Sequence, residues 1–573
     1  MQFLFCSVFL IAGCLSMRVS AADAPRPNIL LICMDDLNDW IGCMGGHPQT
    51  VTPNLDRLAA SGVLFTNAHC AAPACNPSRT TIFTGISPHR SGLYDNRQGM
   101  RDVLPDAELM PKVFSRHGYR STGSGKLLHY FIDAQSWDNY FPEASSENPL
   151  PRTLYPDQRP VNLPRGGPWQ YVETDWAPLN ATDEQFGGDY LVSQFVGEQL
   201  SIKHEQPFFL ACGIYRPHEP WFVPEKYFEA FPLESIQLPP GYLDDDLNDL
   251  PPEGKRRGPN RYFEHIRKHG QWKQAVQSYL ASIHFADAML GRVLDALEHG
   301  PNADNTIVML MSDHGWHLGE KQHWQKYTAW RACTRVPLMV RAPRGCPGLA
   351  EGTTPGRCDR PVNLLSVFPT VLELCGLPGE SSHDGPGLVP LLADTKAAWP
   401  HASVTYLADP GSFGLSVDGW RYIHYANGEE ELYNVVDDPF EWKNLAGDSS
   451  YSDQLQSLRD KAPGTFAEKP EPRVSTLVQL PWHSIGAQPV PASRPDGNPF
   501  DVFFINESKQ SVKLFWMNRD GQPVHYADVP VGGQQRQRTR PGAVWMIADE
   551  TNKPQGYFVV DDRSARAIVP VIP

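Results

Sequence analysis

The sequence predicts an α/β fold with a mainly parallel sheet, on the evidence of three apolar runs and one helical pattern. The runs Pro27 to Met34, Pro207 to Cys212 and Asn305 to Met311 are rich in aliphatic and β-branched residues, as in strands buried on both faces. Between the last two, Gln274 to Leu297 carries apolar residues at helical spacing. Strands that alternate with helices indicate a sheet packed between layers of helices.

A short helix is expected after the first strand. Thr52 and Pro53 form a helix start signal, and Gly62 forms a stop signal. Leu55 and Leu58 are three residues apart and would therefore face the core together. This helix continues the alternation of strand and helix that the fold class requires.

The next segment contains an unusual pentapeptide, CNPSR, from Cys75 to Arg79. Pro77 and the β-branched and apolar residues that follow it predict the start of a helix. The Cys75 side chain would then lie at a helix N-terminus, where anions are stabilised and a thiol is activated.

Two pairs of polar residues directly follow predicted strands. Asp35-Asp36 comes after the first strand, and Asp313-His314 comes after the strand that ends near Met311. Ligands of α/β folds bind beyond the carboxyl ends of the strands, so we expect a site there.

The pattern changes after about residue 380. Leu415 to Tyr425 and Glu431 to Tyr433 predict a small antiparallel sheet, and Gln454 to Lys461 predicts a closing helix. Residues 466–496 are rich in proline and polar groups, which is typical of a linker. Residues 497–573 contain short alternating segments broken by turn signals, which predict an all-β sandwich module.

The composition bounds the class of protein and its partners. A chain of 573 residues is too long for a single core, so two to four domains are expected. Its net charge of −15 argues against nucleic acid or an anionic membrane surface as a partner. A small anionic substrate remains compatible with this charge, because one basic pocket is enough to hold it.

The N-terminus indicates an exported protein. The apolar run Phe3 to Leu15 predicts a secretory signal peptide over residues 1–21, and no later segment approaches the length of a membrane span. We therefore expect a periplasmic or secreted protein, with lipoprotein anchoring at Cys14 as the alternative. The nine later cysteines are too few for a disulfide scaffold, although Cys346 and Cys358 bracket a loop and could pair.

Acidic and basic residues occur where cleavage of an anionic ester would need them. Asp35, Asp36 and Asp313 offer hard oxygen ligands to a divalent cation, which would neutralise the ester and activate a nucleophile. Other residues near Asp313 could suggest zinc instead: His314, His317, His323 and Glu320. The predominance of carboxylates favours Ca²⁺ over Zn²⁺.

Five basic residues could hold the ester and move protons: Arg79, Lys126, His129, His218 and Lys326. Lys126 and His129 have the spacing of residues on one face of a helical turn. His218 lies between prolines just after a predicted strand.

These segments, taken in order, resemble the formylglycine-dependent sulfatases, and within them the iduronate-2-sulfatase branch. The motifs are MDDLN, CNPSRTTIFTG, GKLLH, RPHEP and SDHGWHLGE followed by Lys326, and the similarity spans residues 27 to 465. The resemblance implies an alkaline-phosphatase-like fold with a catalytic domain over 27–380 and a smaller α+β subdomain over 381–465.

The resemblance also implies cofactors and roles. A maturation enzyme would oxidise Cys75 to formylglycine, and five residues would bind Ca²⁺: Asp35, Asp36, modified Cys75, Asp313 and His314. A hydroxyl of the hydrated aldehyde, held by Arg79, would attack sulfur while Asp313 accepts its proton. Lys126, His218 and Lys326 would act on the leaving alcohol, and His129 would help to restore the aldehyde. Trp316 is expected to contact the substrate.

The expected substrate is a sulfated sugar, and specifically a uronate-containing polysaccharide fragment. Two alternatives remain at this point. A phosphonate or phosphate diester hydrolase could use the same modified cysteine, and an inactive binding protein could act through its tail module alone.

The tail module, from FFINESKQSVKLFWMNRDGQPVHYADVP onward, resembles the β-domain of the von Hippel–Lindau tumour suppressor, which reads hydroxyproline peptides. Tyr526 and Trp545 match the aromatic pair of that domain, and Thr539 replaces its serine. Ala543 stands where a histidine is expected, so the ligand of the module is left open.

Overall fold

The computed structural model describes these residues: 26–129, 131–143, 148–161, 163, 174–471, 473–486, 489–495, 500–561 and 564–571. The signal peptide and the lipoprotein alternative at Cys14 lie outside them. Among the residues described, no helix combines the length and the apolarity needed to cross a membrane.

A nine-stranded sheet organises the larger part of the chain. Its strands β1 to β9 are Asn28–Met34, Val63–His69, Arg120–Gly125, Asn139–Phe141, Phe208–Ile214, Thr306–Ser312, Arg335–Arg341, Gly356–Cys358 and Val362–Asn363. The order is β8-β2-β7-β6-β1-β5-β3-β4, and β9 also pairs with β2. Neighbours run parallel, except that β7 is antiparallel to both β2 and β6. The three strands predicted from sequence are the adjacent strands β6, β1 and β5, which confirms the α/β prediction.

Both faces of the sheet are buried against helices. Successive residues of β1 alternate between two cores, with Leu30 and Ile32 in one and Ile29 and Leu31 in the other. The helices that pack in the first core are Pro53–Ser61, Asp189–Ser201 and Trp272–Glu298. Those that pack in the second core are Cys75–Thr84, Met110–Arg116 and Val367–Leu374. Each fully buried aliphatic side chain contributes about 1.5–3 kcal/mol, so this double burial dominates the stability of the sheet.

Shorter elements complete this part of the chain. The remaining helices are Pro88–Ser91, Met100–Val103, Asp183–Phe186, Pro252–Lys255, Arg261–Lys268, Arg331–Thr334 and Val389–Ala393. Strand Trp176–Leu179 pairs with Trp221–Pro224, and His317–Leu318 pairs with Trp324–Gln325. Cys346 and Cys358 are buried free thiols, so the disulfide considered from their spacing is not formed.

The smaller subdomain is a four-stranded antiparallel sheet closed by a helix. The strands are Ser403–Tyr406, Phe413–Val417, Trp420–His424 and Glu430–Asn434, and the helix is Ser452–Arg459. Within the predicted segment Leu415 to Tyr425, Gly419 at φ 75° turns the chain between two strands of this sheet, which form a hairpin.

The tail is an all-β module of two sheets, as predicted. One sheet contains Val478–Gln479, Ala565–Val569, Phe500–Asn506 and Gln534–Thr539. The other contains His483–Ser484, Pro554–Val559, Val544–Ala548, Val512–Met517 and Pro523–Val529. The first strand of each sheet lies within residues 466–496, and Leu480 joins the core of the module. The predicted linker therefore supplies two strands of the module's sheets.

Candidate active site

The two polar pairs predicted at strand ends meet at one edge of the sheet. Strands β1 and β6 are parallel neighbours with Met34 opposite Ser312, so Asp36 and Asp313 follow them side by side. The Asp36 backbone N–H donates to Asp313 Oδ1 at 3.2 Å. Asp36 has φ 61°, a conformation that aspartate tolerates better than most residues, and the Tyr279 hydroxyl donates to its carbonyl at 2.7 Å.

Cys75 is the first residue of the helix Cys75–Thr84, as the sequence predicts. Every residue of this helix is buried, and the Asn76 N–H donates to Asn96 Oδ1 at 2.9 Å. The Ser78 hydroxyl donates to the Asp313 carbonyl at 2.5 Å, which ties the helix to the end of β6. The sulfur is therefore fixed at the positive end of a helix beside the carboxylates.

Cationic groups surround the Cys75 sulfur. Lys326 Nζ lies at 3.0 Å, His314 Nε2 at 3.3 Å and Lys126 Nζ at 3.9 Å from Sγ. Burial alone would raise the pKa of the Cys75 thiol, but Lys126, Lys326 and His314 together hold that pKa well below its usual value. The site therefore stabilises negative charge at position 75.

Arg79 joins two of the carboxylates from the same helix. Its Nη2 lies 3.1 Å from Asp35 Oδ1, and its Nε lies 2.8 Å from Asp313 Oδ2. Nη1 also donates to the Lys126 carbonyl at 2.5 Å, while Lys126 Nζ reaches Asp35 Oδ2 at 2.5 Å. Arginine and lysine are thus held in fixed directions by buried carboxylates.

The prediction of a helical turn over Lys126 and His129 is wrong, because residues 126–129 form an irregular bend after β3. The bend passes so close to β5 that a Cβ on Gly213 would lie 2.3 Å from the Lys126 carbonyl oxygen. His129 still hydrogen-bonds Cys75. The bend thus brings both predicted residues to the sulfur without a helix.

His218 reaches the site from the other side. Its Nδ1–H donates to the Glu219 carbonyl at 2.5 Å, which leaves Nε2 facing Asp36 Oδ2 at 3.6 Å. Burial lowers the pKa of His218, but the carboxylates of Asp36 and Asp35 together offset burial and leave the pKa raised. A raised pKa favours the protonated imidazole, the form that can donate a proton.

Four buried side chains, Cys75 among them, could together hold a divalent metal ion. Ligand atoms of Asp35, Asp36, Cys75 and His314 all lie within 4.8 Å of one another. Asp36 Oδ2 makes no hydrogen bond although it is buried, and His314 Nδ1–H donates to Gly315 O, which frees Nε2 for a ligand. Asp313 lies beside this group, with Oδ2 3.6 Å from His314 Nε2, and burial raises its pKa to about 7.

Two of the histidines that could have suggested zinc, His317 and His323, are used elsewhere. His317 contacts Glu320 O and Thr328 Oγ1 through its two ring nitrogens, at 3.1 and 2.7 Å. His323 contacts Arg257 O and Lys326 O, at 2.6 and 3.0 Å. Both rings therefore support the chain on either side of Lys326 rather than a metal.

Three residues near the site have positions that sequence patterns did not reveal. Trp316, predicted to contact substrate, is 1% exposed and lies under Lys326, whose Nζ is 5.3 Å from the ring centroid. Its contact with substrate stays a prediction. Tyr279 and Glu219 were missed, since the first reads as one more apolar position in a helix and the second as a loop residue between prolines.

The fold and this site together define an alkaline-phosphatase-like hydrolase. A mainly parallel sheet presents carboxylates, a helix-terminal cysteine and fixed cations at the carboxyl ends of its strands. Such an arrangement suits cleavage of an anionic ester.

Comparison with known proteins narrows this class. The Sulfatase family model matches residues 27–377, and the VHL beta domain model matches residues 492–561. The chain is 38% identical over 455 residues to a sulfatase of Formosa agariphila, covering 78% of this chain and 88% of that protein. It is 32% identical over 395 residues to mouse iduronate 2-sulfatase, covering 63% and 70%. The chain belongs to the sulfatase family.

Solved structures share the fold at lower identity. A 2-O GAG sulfatase matches with a TM-score of 0.58 at 21% identity, covering 76% of this chain and 90% of that chain. The phosphonate monoester hydrolase of Agrobacterium radiobacter matches with a TM-score of 0.59 at 23% identity, covering 76% and 94%. Sulfatases and phosphonate hydrolases therefore both have this architecture.

Proposed function

We propose that this protein is an exported sulfatase that removes sulfate from a sulfated sugar, with a formylglycine made from Cys75 and a Ca²⁺ ion. The single observation that carries the proposal is the surroundings of the Cys75 sulfur. It lies at a buried helix N-terminus, 3.0 Å from Lys326 Nζ and 3.3 Å from His314 Nε2. An anionic ester placed there would meet fixed positive charge in a medium of low dielectric.

Asp35, Asp36, Asp313, His314 and the modified Cys75 would hold the calcium ion. Three carboxylates in the site balance the three fixed cations Arg79, Lys126 and Lys326. A bound divalent cation would give the site net positive charge for the sulfate and would lower the pKa of the nucleophile.

The protein groups have distinct roles around position 75. The hydrated aldehyde there would supply the attacking hydroxyl and a second hydroxyl through which sulfate is released. Asp313 is assigned as the acceptor of the proton from the attacking hydroxyl, and Arg79, whose Nε lies 2.8 Å from Asp313 Oδ2, orients the ester. Lys126, His218 and Lys326 would stabilise or protonate the leaving alcohol, and His129 would take the second proton.

The burial of Cys75 bears on its maturation. The side chain has no exposed surface in the folded chain. The enzyme that oxidises Cys75 would therefore need to act before this helix packs against the sheet.

The proposed substrate class is supported by the similarity to iduronate 2-sulfatases and not by the geometry of the site. Iduronate 2-sulfatases of mouse and human are 32% and 30% identical to this chain. We infer a uronate-containing polysaccharide fragment as substrate.

Two assays test the proposal. Matured protein should hydrolyse an aryl sulfate at least about 100-fold faster than the matching aryl phosphonate. Preferential phosphonate turnover would support a phosphonate hydrolase, and no turnover of either ester would support a binding protein. Release of sulfate from ulvan, heparin, chondroitin and carrageenan oligosaccharides, measured side by side, then identifies the sugar.

A further inference from the structure

Two of the three residues assigned to the leaving alcohol, His218 and Lys326, come from segments far apart in the chain. His218 follows β5, and Lys326 follows the short strand Trp324–Gln325. Both reach the same carboxylate, with Lys326 Nζ at 2.8 Å from Asp36 Oδ1 and His218 Nε2 at 3.6 Å from Asp36 Oδ2. Their spacing must therefore be fixed by contacts between the two segments.

Glu219 makes contacts to both segments at once. Its backbone carbonyl accepts from His218 Nδ1 at 2.5 Å and from the Tyr215 hydroxyl at 3.1 Å. Its side-chain Oε1 accepts a hydrogen bond from Gln325 Nε2 at 2.9 Å, although the two residues are 106 positions apart in the sequence. Thr174 Oγ1 lies farther from the same oxygen, at 3.5 Å. Glu219 is 0% exposed, so water does not compete for these bonds.

The segment held by Glu219 has little regular structure of its own. Gln325 and Tyr327, on either side of Lys326, have φ of 82° and 78°, backbone conformations that residues other than glycine rarely adopt. Such a backbone persists only where its surroundings hold it. The bond from Gln325 to Glu219 and the bond from His323 to the Lys326 carbonyl are two such restraints.

We propose that Glu219 is a positioning residue that couples His218 to Lys326, so that both act together on the departing oxygen. The inference rests on the proposed function, because it assigns the purpose of the coupling to sulfate-ester cleavage. The backbone carbonyl of Glu219 fixes the tautomer of His218. The Glu219 carboxylate holds Gln325, the residue that precedes Lys326. Displacement of a catalytic group by about 1 Å can cost about 100-fold in rate.

The test compares Glu219→Ala, Gln325→Ala and the double variant on a sugar sulfate and on an activated aryl sulfate. Each of the three should lower kcat on the sugar sulfate by about 100-fold, with KM changed less than about threefold. The loss in the double variant should not exceed that of either single variant, because both remove one shared bond. On the aryl sulfate, whose leaving group needs no proton, each should lose less than about fivefold.

Two further variants separate positioning from general damage. Glu219→Gln keeps an oxygen acceptor for Gln325 and should recover most of the sugar-sulfate rate. Thr174→Val removes only the longer contact and should behave like the unaltered protein. Thermal melting shows whether each variant is folded.

Equal losses on both substrates, additive losses in the double variant, or unchanged rates in Glu219→Ala would each overturn the inference. If Glu219→Ala does not fold, a Gln325→Ala variant that is folded and fully active on the sugar sulfate overturns it. Failure of the unaltered, matured protein to cleave any sulfate ester would instead overturn the proposed function.

Discussion

Lys326 Nζ lies 3.0 Å from Cys75 Sγ, although 251 residues separate the two in the chain. The same ammonium lies 2.8 Å from Asp36 Oδ1, and all three side chains are buried. Because the positive charge is already in place, an anionic group formed at position 75 would be stabilised without reorganisation of solvent. Lys326 thus links position 75 directly to the carboxylate of Asp36.

Replacement of Cys75 tests the nucleophile. Cys75→Ser should lower sulfatase activity at least about 1000-fold, because a serine hydroxyl cannot release sulfate by elimination as a hydrated aldehyde can. Mass spectrometry of the Cys75 peptide should show the aldehyde in active protein. Cys43→Ser, at a half-buried cysteine beside Asp56, is the matched control. Full activity from protein that carries only the thiol would refute the mechanism.

Removal of metal tests the ligand set. Activity should disappear on chelation and return with Ca²⁺ but not with Zn²⁺, because the carboxylates are hard oxygen ligands. Asp36→Asn should raise the Ca²⁺ concentration for half-maximal activity at least about tenfold. Asp39→Asn is the control, since Asp39 pairs with Arg335 at 2.6 Å instead. Recovery with zinc alone would contradict the calcium assignment.

Loss of His218 should depend on the leaving group. His218→Ala should slow a sugar sulfate by about 100–1000-fold and an activated aryl sulfate by less than about tenfold, because only the sugar alkoxide needs a proton. Steady-state kinetics on both esters provide the measurement. His299→Ala changes an exposed histidine of the helix end and should affect neither ester. Equal slowing of both would indicate a structural role.

The tail module should be dispensable for small substrates. A chain that ends at Pro470 keeps the Lys469–Asp95 ion pair at 3.1 Å, and both strands from the predicted linker leave with the module. Its aryl-sulfate turnover should stay within about twofold of the full chain, with any loss confined to polymeric substrate. If thermal melting shows that the shortened protein is unfolded, the module is part of the catalytic fold.

The module should not distinguish hydroxyproline from proline. Tyr526 and Trp545 stack edge to face at 5.0 Å, but Trp545 Nε1 donates to Thr539 Oγ1 at 3.0 Å and Ala543 offers no polar group. Titration of the full chain with paired peptides should give Kd values within about twofold of each other. A clear preference for the hydroxylated peptide would reverse this interpretation.

Local patterns in the sequence predicted much of the fold and of the site. Apolar runs identified β1, β5 and β6, because strands buried on both faces need unbroken hydrophobic sequence. Turn and cap signals located the helix that begins at Cys75 and the all-β tail. The rule that sites lie at strand ends placed Asp36 and Asp313 together before any contact was known.

Contacts between distant segments were decided only by the tertiary structure. The bend over residues 126–129, the two strands within the predicted linker and the bond from Glu219 to Gln325 have no periodic signal. Periodicity records which face of an element is buried, whereas these features depend on which residues the packed sheet brings within hydrogen-bonding distance. The sequence by itself therefore determined the chemical groups and the strand ends that carry them, and packing of the sheet determined their distances.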